Sequence, residues 1–301
     1  MPELPDLAIV AEAFHAALAG RPITSARAPG PLAVRGTPAE MGALNGQTVK
    51  SIRRRGKLLI VQLDRDRVVV NPMLTGRFQL ADPASAEPSK TAVVLGFGSR
   101  KRSPRDAARW TSKAPWIPRD DNAVEVRYRD PTQMGKVYLV PSGVARVVPG
   151  LTDDEIGPDA DDPALTLEEW RVRIRRHPGE LKNLLKNQAF VAGIGNAYSD
   201  EILHAARLLP FRKRSSLAPE EIDALYEAMR TTLAGAIDIL RKRVPPTFEK
   251  QARDWLAVHD KGGQPCPRCG TQVVRVPFMN RSSYFCPTCQ PRPRARRARK
   301  R

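Results

Sequence analysis

Cys266-Pro-Arg-Cys269-Gly270, and then Cys286-Pro-Thr-Cys289 after an interval of sixteen residues, is the stretch on which the reading of the fold turns. These are all four cysteines of the chain. Each C-x2-C pair closes a knuckle that presents two thiolates, and two knuckles place four sulfurs tetrahedrally around one cation. Zinc is the common occupant of such a site in a reducing compartment, and disulfide or redox use is the competing reading. Four protein ligands leave no position for water, so one structural Zn2+ is expected on Cys266, Cys269, Cys286 and Cys289. Between the pairs, the runs Val273 to Phe278 and Ser283 to Phe285 flank Met279-Asn280-Arg281-Ser282. That pattern predicts a β-hairpin with an arginine near its tip. A zinc ribbon serves transcription factors, helicases and glycosylases alike, so it defines a local fold and no activity.

Outward from the hairpin, charge comes first. The 301 residues carry a formal net charge of +18, of which the tail Pro291–Arg301 holds seven, leaving +11 on the rest. The tail is expected to be disordered. An excess of this size on a folded body favours a polyanion, and nucleic acid is the natural one. No apolar run reaches the length of a membrane span. Leu7, Val10, Ala11, Phe14 and Leu18 lie on one helical face and do not form a secretory core, so a cytoplasmic protein is expected.

Upstream of the cysteines the pattern is helical. Thr166 and Glu169 form a capping-box signature ahead of Trp170 and Ile174. Further helices are expected over Gly179–Asn187, from about Asn196, and over Pro219–Arg243. Between the second and third lies Val191-Ala192-Gly193-Ile194-Gly195-Asn196. Such a glycine turn aims backbone amides and an asparagine at a helix N-terminus, where phosphate binds readily. Pro141 to Ala164 is rich in Pro, Gly and Asp and reads as a linker.

The first 140 residues are β-rich after one helix (about Pro5 to Ala19). Strands are expected over Gln47–Arg54, Lys57–Leu63, Val68–Asn71, Gly76–Leu80, Ala92–Phe97, Ala123–Arg129 and Lys136–Val140, as an antiparallel sandwich or barrel. Between Ser99 and Asn122, seven Lys and Arg residues surround Trp110 and Trp116, a basic insertion on a hairpin. Four histidines, His15, His177, His204 and His259, form no cluster in the sequence.

The chain opens Met1-Pro2-Glu3-Leu4-Pro5. Removal of Met1 ahead of proline leaves a secondary amine on Pro2, and α-amino groups titrate near neutrality. Attack by such an amine on a sugar aldehyde carbon gives an iminium that keeps its positive charge and serves as an electron sink. Glu3 stands beside it to move protons.

Taken together, the Pro-Glu-Leu-Pro start, the segment Gln188-Ala-Phe-Val-Ala-Gly-Ile-Gly-Asn-Ala-Tyr198 and the terminal zinc hairpin resemble the formamidopyrimidine-DNA glycosylase and endonuclease VIII family of bacterial base-excision repair enzymes. The Pro-Glu-Leu-Pro form is closer to the formamidopyrimidine branch. The resemblance implies an α+β fold: an N-terminal helix with an antiparallel β-sandwich or barrel, then a helix–two-turn–helix domain with a zinc-ribbon hairpin. It organises the chain as a catalytic domain (1–141, insertion 99–122), a linker (142–165), a DNA-binding helical domain (166–264), a zinc finger (265–290) and a basic tail (291–301). It implies Pro2 as Schiff-base nucleophile at the sugar C1′, Glu3 as its acid/base partner, and Lys57 directed at the lesion's phosphate and sugar. Lys182, Asn196 and Arg281 are implied as DNA-binding residues, and Leu74 and Met134 as void-filling candidates. The implied activity is a bifunctional glycosylase and abasic-site lyase that removes oxidised bases and cuts by β,δ-elimination. The implied partner is damaged double-stranded DNA, with no membrane, for a nucleoid-associated monomer.

The departures from that family are local. Asp6 stands where the family usually has glutamate. Asn71 and Leu74 replace a histidine and a methionine, and Asp130-Pro-Thr-Gln-Met-Gly135 replaces Asp-Pro-Arg-Arg-Phe-Gly, so opposite-base selectivity does not carry over. The segment Val244 to Gly263 lacks the long glycine-rich loop that caps an oxidised purine. Two other functions are consistent with such a chain: a lyase without base excision, and a non-catalytic binder of damaged DNA. Retention of Pro2, Glu3 and Lys57 together argues against the binder.

Overall fold

The computed structural model describes residues 1–100, 118–151, 156–245, 248–278 and 281–292, the side chains of 278 and 281 excepted. The chain forms two compact units, one of residues 1–156 with 234–253 and one of 157–233 with 254–301. Most of the basic insertion (101–117) and of the tail (293–301) lies outside the described residues.

The first unit opens with helix α1 (Leu4–Leu18), which Glu3 caps in extended conformation and Pro5 enters at its first turn. Proline is tolerated there because the first amides of a helix have no internal acceptor. Strand β1 (Ile23–Arg27), the short β2 (Val34–Arg35) and helix α2 (Pro38–Gly42) follow. Then come β3 (Val49–Arg55), β4 (Leu58–Leu63), β5 (Arg67–Asn71), β6 (Arg77–Ala81), β7 (Thr91–Phe97), β8 (Val124–Arg129) and β9 (Lys136–Val140). They form a five-stranded sheet in the order β2-β9-β5-β4-β3 and a four-stranded sheet in the order β1-β7-β8-β6. Pairing is antiparallel except for β2 with β9. Alternate side chains from both sheets (Ile52, Val61, Val68 against Val93, Leu95, Val126) meet with Phe14 and Leu18 of α1 around one apolar interior. This is the sandwich that the β-branched runs predict.

All seven expected strands form within two residues of their expected ends. Strands β1 and β2 and helix α2 were not expected, although Thr37 and Glu40 form a capping box on α2. Lys57 departs from its expected strand position. It shares the two-residue turn Gly56–Lys57 of the β3–β4 hairpin, whose hand demands the positive φ (+55°) that Gly56 supplies.

The neck of the insertion is built from two arginines. Arg21, fully buried, donates to the carbonyls of Ala17, Gly98, Asn122 and Arg119. Arg100 donates to Ala16, Ala19 and the Asp120 carboxylate. Both therefore satisfy the orphan carbonyls at the C-terminus of α1, where a cation is also electrostatically favoured.

In the second unit, α3 (Leu167–Arg176) starts on Thr166, whose hydroxyl accepts from the Glu169 amide at 3.2 Å. Trp170, fully buried, donates its indole N–H to the Ile222 carbonyl. Helices α4 (Leu181–Lys186) and α5 (Asn196–Ala205) follow. Helix α6 (Pro219–Arg243) begins in this unit, and its residues from Ala234 onward belong to the first unit. Strands β10 (Val274–Phe278) and β11 (Arg281–Phe285) form the cysteine-flanked hairpin. Arg281 pairs with Phe278 across the ladder, so it opens β11 where a longer tip was expected.

Candidate functional site

The N-terminus of the first unit gathers polar groups into a nearly dry corner. Pro2 is buried and Glu3 is 3 % exposed. Asp6 turns back to accept the Glu3 backbone N–H at 2.8 Å, the reverse half of a capping box. The same carboxylate oxygen accepts from Arg253 Nη2 at 2.5 Å and from Gln251 Nε2 at 3.4 Å. Gln251 also donates to the Met1 carbonyl and accepts from Arg77 Nη2 at 3.1 Å. Behind Pro2 the wall is apolar: Leu7, Ile9, Val10, Phe78, Leu240 and Phe248.

The titrations follow from this geometry. Burial first, then Arg77 and Arg253, hold the amino terminus below its ordinary value, against the opposing pull of Glu3 and Asp6. Burial raises Asp6, and the Arg253 guanidinium works against that rise. Desolvation and cations both disfavour an ammonium, so this corner favours the free amine.

Two loops beside β6 carry the void-filling candidates. Asp130, fully buried, accepts from the amides of Gly135 (2.6 Å) and Thr132 (3.3 Å) and from the Thr75 hydroxyl. Thr75 and Thr132 touch through their hydroxyls, which ties the loop after β5 to the loop after β8. A Cβ on either Gly76 or Gly135 would collide with the Tyr128 hydroxyl, so both loops need glycine there. Leu74 and Met134 are left outside, each 44 % exposed. Exposed apolar tips on braced loops are able to enter a base stack.

The second unit draws its own set together. Lys182 Nζ donates to the Ser282 carbonyl (2.9 Å) and pairs with the fully buried Asp200 carboxylate (2.7 Å). Asn196 Nδ2 donates to the same Ser282 carbonyl (3.1 Å). Thus α4, α5 and the residue after Arg281 converge on one oxygen. They line a cavity of about 400 Å³ together with Asn183, Lys186 and Ser283. Gln188 braces the turn before α5, donating to Lys186 and Ile194 and accepting from Gly193. Glu201, also in α5, receives three backbone amides, Ala257, Val258 and His259.

The sulfur ligand atoms of Cys266, Cys269, Cys286 and Cys289 all lie within 4.8 Å of one another. Hydrogen bonds from Thr271 bring Cys269 down to about 6, whereas burial and the neighbouring thiols push Cys289 up to about 12. A cation among the sulfurs relieves that crowding of incipient negative charge, and the donor set fits one structural zinc ion. Two histidines that looked ordinary in the sequence act here. His204 Nε2 lies 3.3 Å from Cys266 Sγ, and burial, then Arg268, bring its pKa down to about 4. His259 Nδ1 lies 2.8 Å from Asp200 Oδ2. Neither carries a local sequence motif, and both contacts are made across the fold.

Family profiles cover most of the chain. The formamidopyrimidine-DNA glycosylase N-terminal domain matches residues 1–137, its H2TH domain residues 156–244, and the zinc finger found in FPG and IleRS residues 263–292. A formamidopyrimidine-DNA glycosylase of Acidothermus cellulolyticus is 32 % identical over 98 % of this chain and 99 % of its own. A crystal structure of a Lactococcus lactis FPG mutant with Fapy-dG-containing DNA superposes with a TM-score of 0.78 at 26 % identity, covering 97 % of this chain and 100 % of that one. A second structure of the Lactococcus lactis enzyme, bound non-covalently to DNA containing an abasic site, gives 0.77 at 25 % identity over 96 % and 100 %. Fold and site are those of a DNA glycosylase of base-excision repair that carries a zinc finger. The chain belongs to the formamidopyrimidine-DNA glycosylase family.

Proposed function

We propose that the chain excises oxidised bases from double-stranded DNA and cuts the abasic strand through a Schiff base on Pro2. The carrying observation is the buried N-terminal corner, where desolvation and Arg77 hold the amino terminus below its usual value. Loss of Met1 removes that group and leaves a secondary amine on Pro2, which is buried in the same corner. The uncharged Pro2 nitrogen attacks C1′ and the base departs with a proton. Ring opening, assisted by Glu3, leaves an iminium between Pro2 and C1′. A base takes a C2′ proton, the electrons of that C–H bond enter the iminium, and their return expels the 3′ phosphate; a second elimination expels the 5′ phosphate. Lys57 supplies a cation for the lesion's phosphate.

Lys182, Asn196 and Arg281 hold the phosphates flanking the extruded nucleotide, a role supported, for Lys182 and Asn196, by their convergence at Ser282. Leu74 and Met134 fill the void. Residues 1–141 carry the chemistry, 166–264 and the zinc finger at 265–290 the DNA grip, and 142–165 the connection. The basic tail (291–301) adds affinity without sequence preference. The protein works as a nucleoid-associated monomer in the cytoplasm. Among the described residues no helix is long and apolar enough to cross a membrane.

Intact mass and product analysis on an abasic duplex test this directly. The expected result is a mass lacking Met1 and a one-nucleotide gap with phosphate at both ends. A retained Met1 together with an uncut strand refutes the reading.

A further inference from the structure

Asp6 and Arg253 make an ion pair whose position has a specific consequence for the N-terminus. The Asp6 oxygen that accepts from Arg253 also accepts the backbone N–H of Glu3, at 2.5 and 2.8 Å respectively. That N–H belongs to the peptide joining Pro2 to Glu3. Asp6 therefore holds the peptide plane from which the Pro2 ring projects. The Asp6 side chain is 11 % exposed and that of Arg253 18 %. A carboxylate so placed stays ionised only with a cation beside it. Gln251 also donates to Asp6, at 3.4 Å, and that contact survives the loss of Met1. The segment Gln251–Arg253 thus reaches the Pro2–Glu3 peptide through Asp6, and neither residue need reach the sugar.

We propose that Arg253, acting through Asp6, is a positioning residue for the Pro2 nucleophile. The inference rests on the Schiff-base reading above. An aspartate in place of a longer glutamate reaches the Glu3 amide from the first turn of α1, and Arg253 fixes it there. The arrangement acts as a unit, since Arg253 reaches the Glu3 amide through the Asp6 carboxylate, and Asp6 loses its charge in that corner without Arg253.

Single-turnover borohydride trapping on an abasic duplex, with DNA affinity and thermal midpoint measured in parallel, tests this. Arg253→Met and Asp6→Asn are each expected to slow trapping about tenfold to a hundredfold, as misplacement of a nucleophile does, with DNA affinity within about twofold of wild type. Arg253→Lys restores trapping to within about threefold. The double variant Asp6→Asn with Arg253→Met is no slower than either single, because the pair acts as one. It also removes the uncompensated carboxylate, so it folds even if Arg253→Met does not. Trapping at the wild-type rate in Arg253→Met or in the double variant overturns the proposal, as does a loss that follows DNA affinity. Absence of trapping in the wild-type protein refutes the Schiff-base reading itself, a separate outcome.

Discussion

The N-terminal corner of the first unit and the Lys182 cluster of the second use buried charge in opposite ways. At the N-terminus, burial, then the two cations Arg77 and Arg253, favour the neutral form of the Met1 amine, against the two carboxylates Glu3 and Asp6. At Lys182 the charge is already matched by Asp200, which is fully buried, and the donors Lys182 and Asn196 point at a backbone carbonyl. The first arrangement prepares a titration, and the second fixes a shape. Chemistry at the sugar needs a group able to change its protonation state at neutral pH, whereas a grip on phosphate needs donors that do not move.

Each side of that contrast has a way to fail. The largest effect is expected from Cys286→Ser. Three thiolates do not close a structural zinc site, and the metal supplies folding energy to so small a hairpin. Zinc content by atomic absorption should fall below about a tenth of the wild-type value and DNA binding should be lost, because β11 carries Ser282. Retention of both would separate the cysteines from the grip.

Lys182→Ala comes next. It leaves Asp200 buried without its cation, at a cost of about 3–5 kcal/mol in urea denaturation. Adding Asp200→Asn should recover most of that stability while DNA affinity stays weak. If affinity returned with stability, Lys182 would be a folding residue alone.

The smallest effect separates titration from shape. A folded-state amine pKa below its ordinary value leaves more free amine at any given pH. The rate of borohydride trapping should therefore rise with pH through a midpoint below the ordinary α-amino range of about 7.7–8. Arg77→Met removes a positive charge and should move that midpoint upward, whereas Lys182→Ala should leave it in place. Movement with Lys182→Ala would erase the distinction between the two regions.

What could be read from the chain follows from how local each signal is. The C-x2-C pairs, the strand runs such as Val68–Asn71 and the long helix Pro219–Arg243 repeat over a few residues, so periodicity and spacing reveal them. Short elements such as Val34–Arg35 have no period to read, and they form because β9 accepts them at the edge of the sheet. Lys57 was legible as a cation and misplaced by one residue, since it stands in the turn immediately before β4. The Asp6–Arg253 and His204–Cys266 contacts join residues 247 and 62 positions apart, and nothing near either partner announces the other. Tertiary pairing of charged and polar side chains was the least legible layer, and it is the layer that sets the chemistry.

The central claim is that Pro2 forms a covalent bond to damaged DNA with Glu3 as its proton partner. The direct measurement is borohydride trapping on duplexes carrying 8-oxoguanine, a formamidopyrimidine, thymine glycol, dihydrouracil, uracil or an abasic site, with Pro2→Gly and Glu3→Gln alongside. A trapped complex is expected on at least one intact oxidised base and on the abasic site, altered by Pro2→Gly and abolished on the intact base by Glu3→Gln. No covalent complex on any duplex, with DNA binding intact, would contradict it.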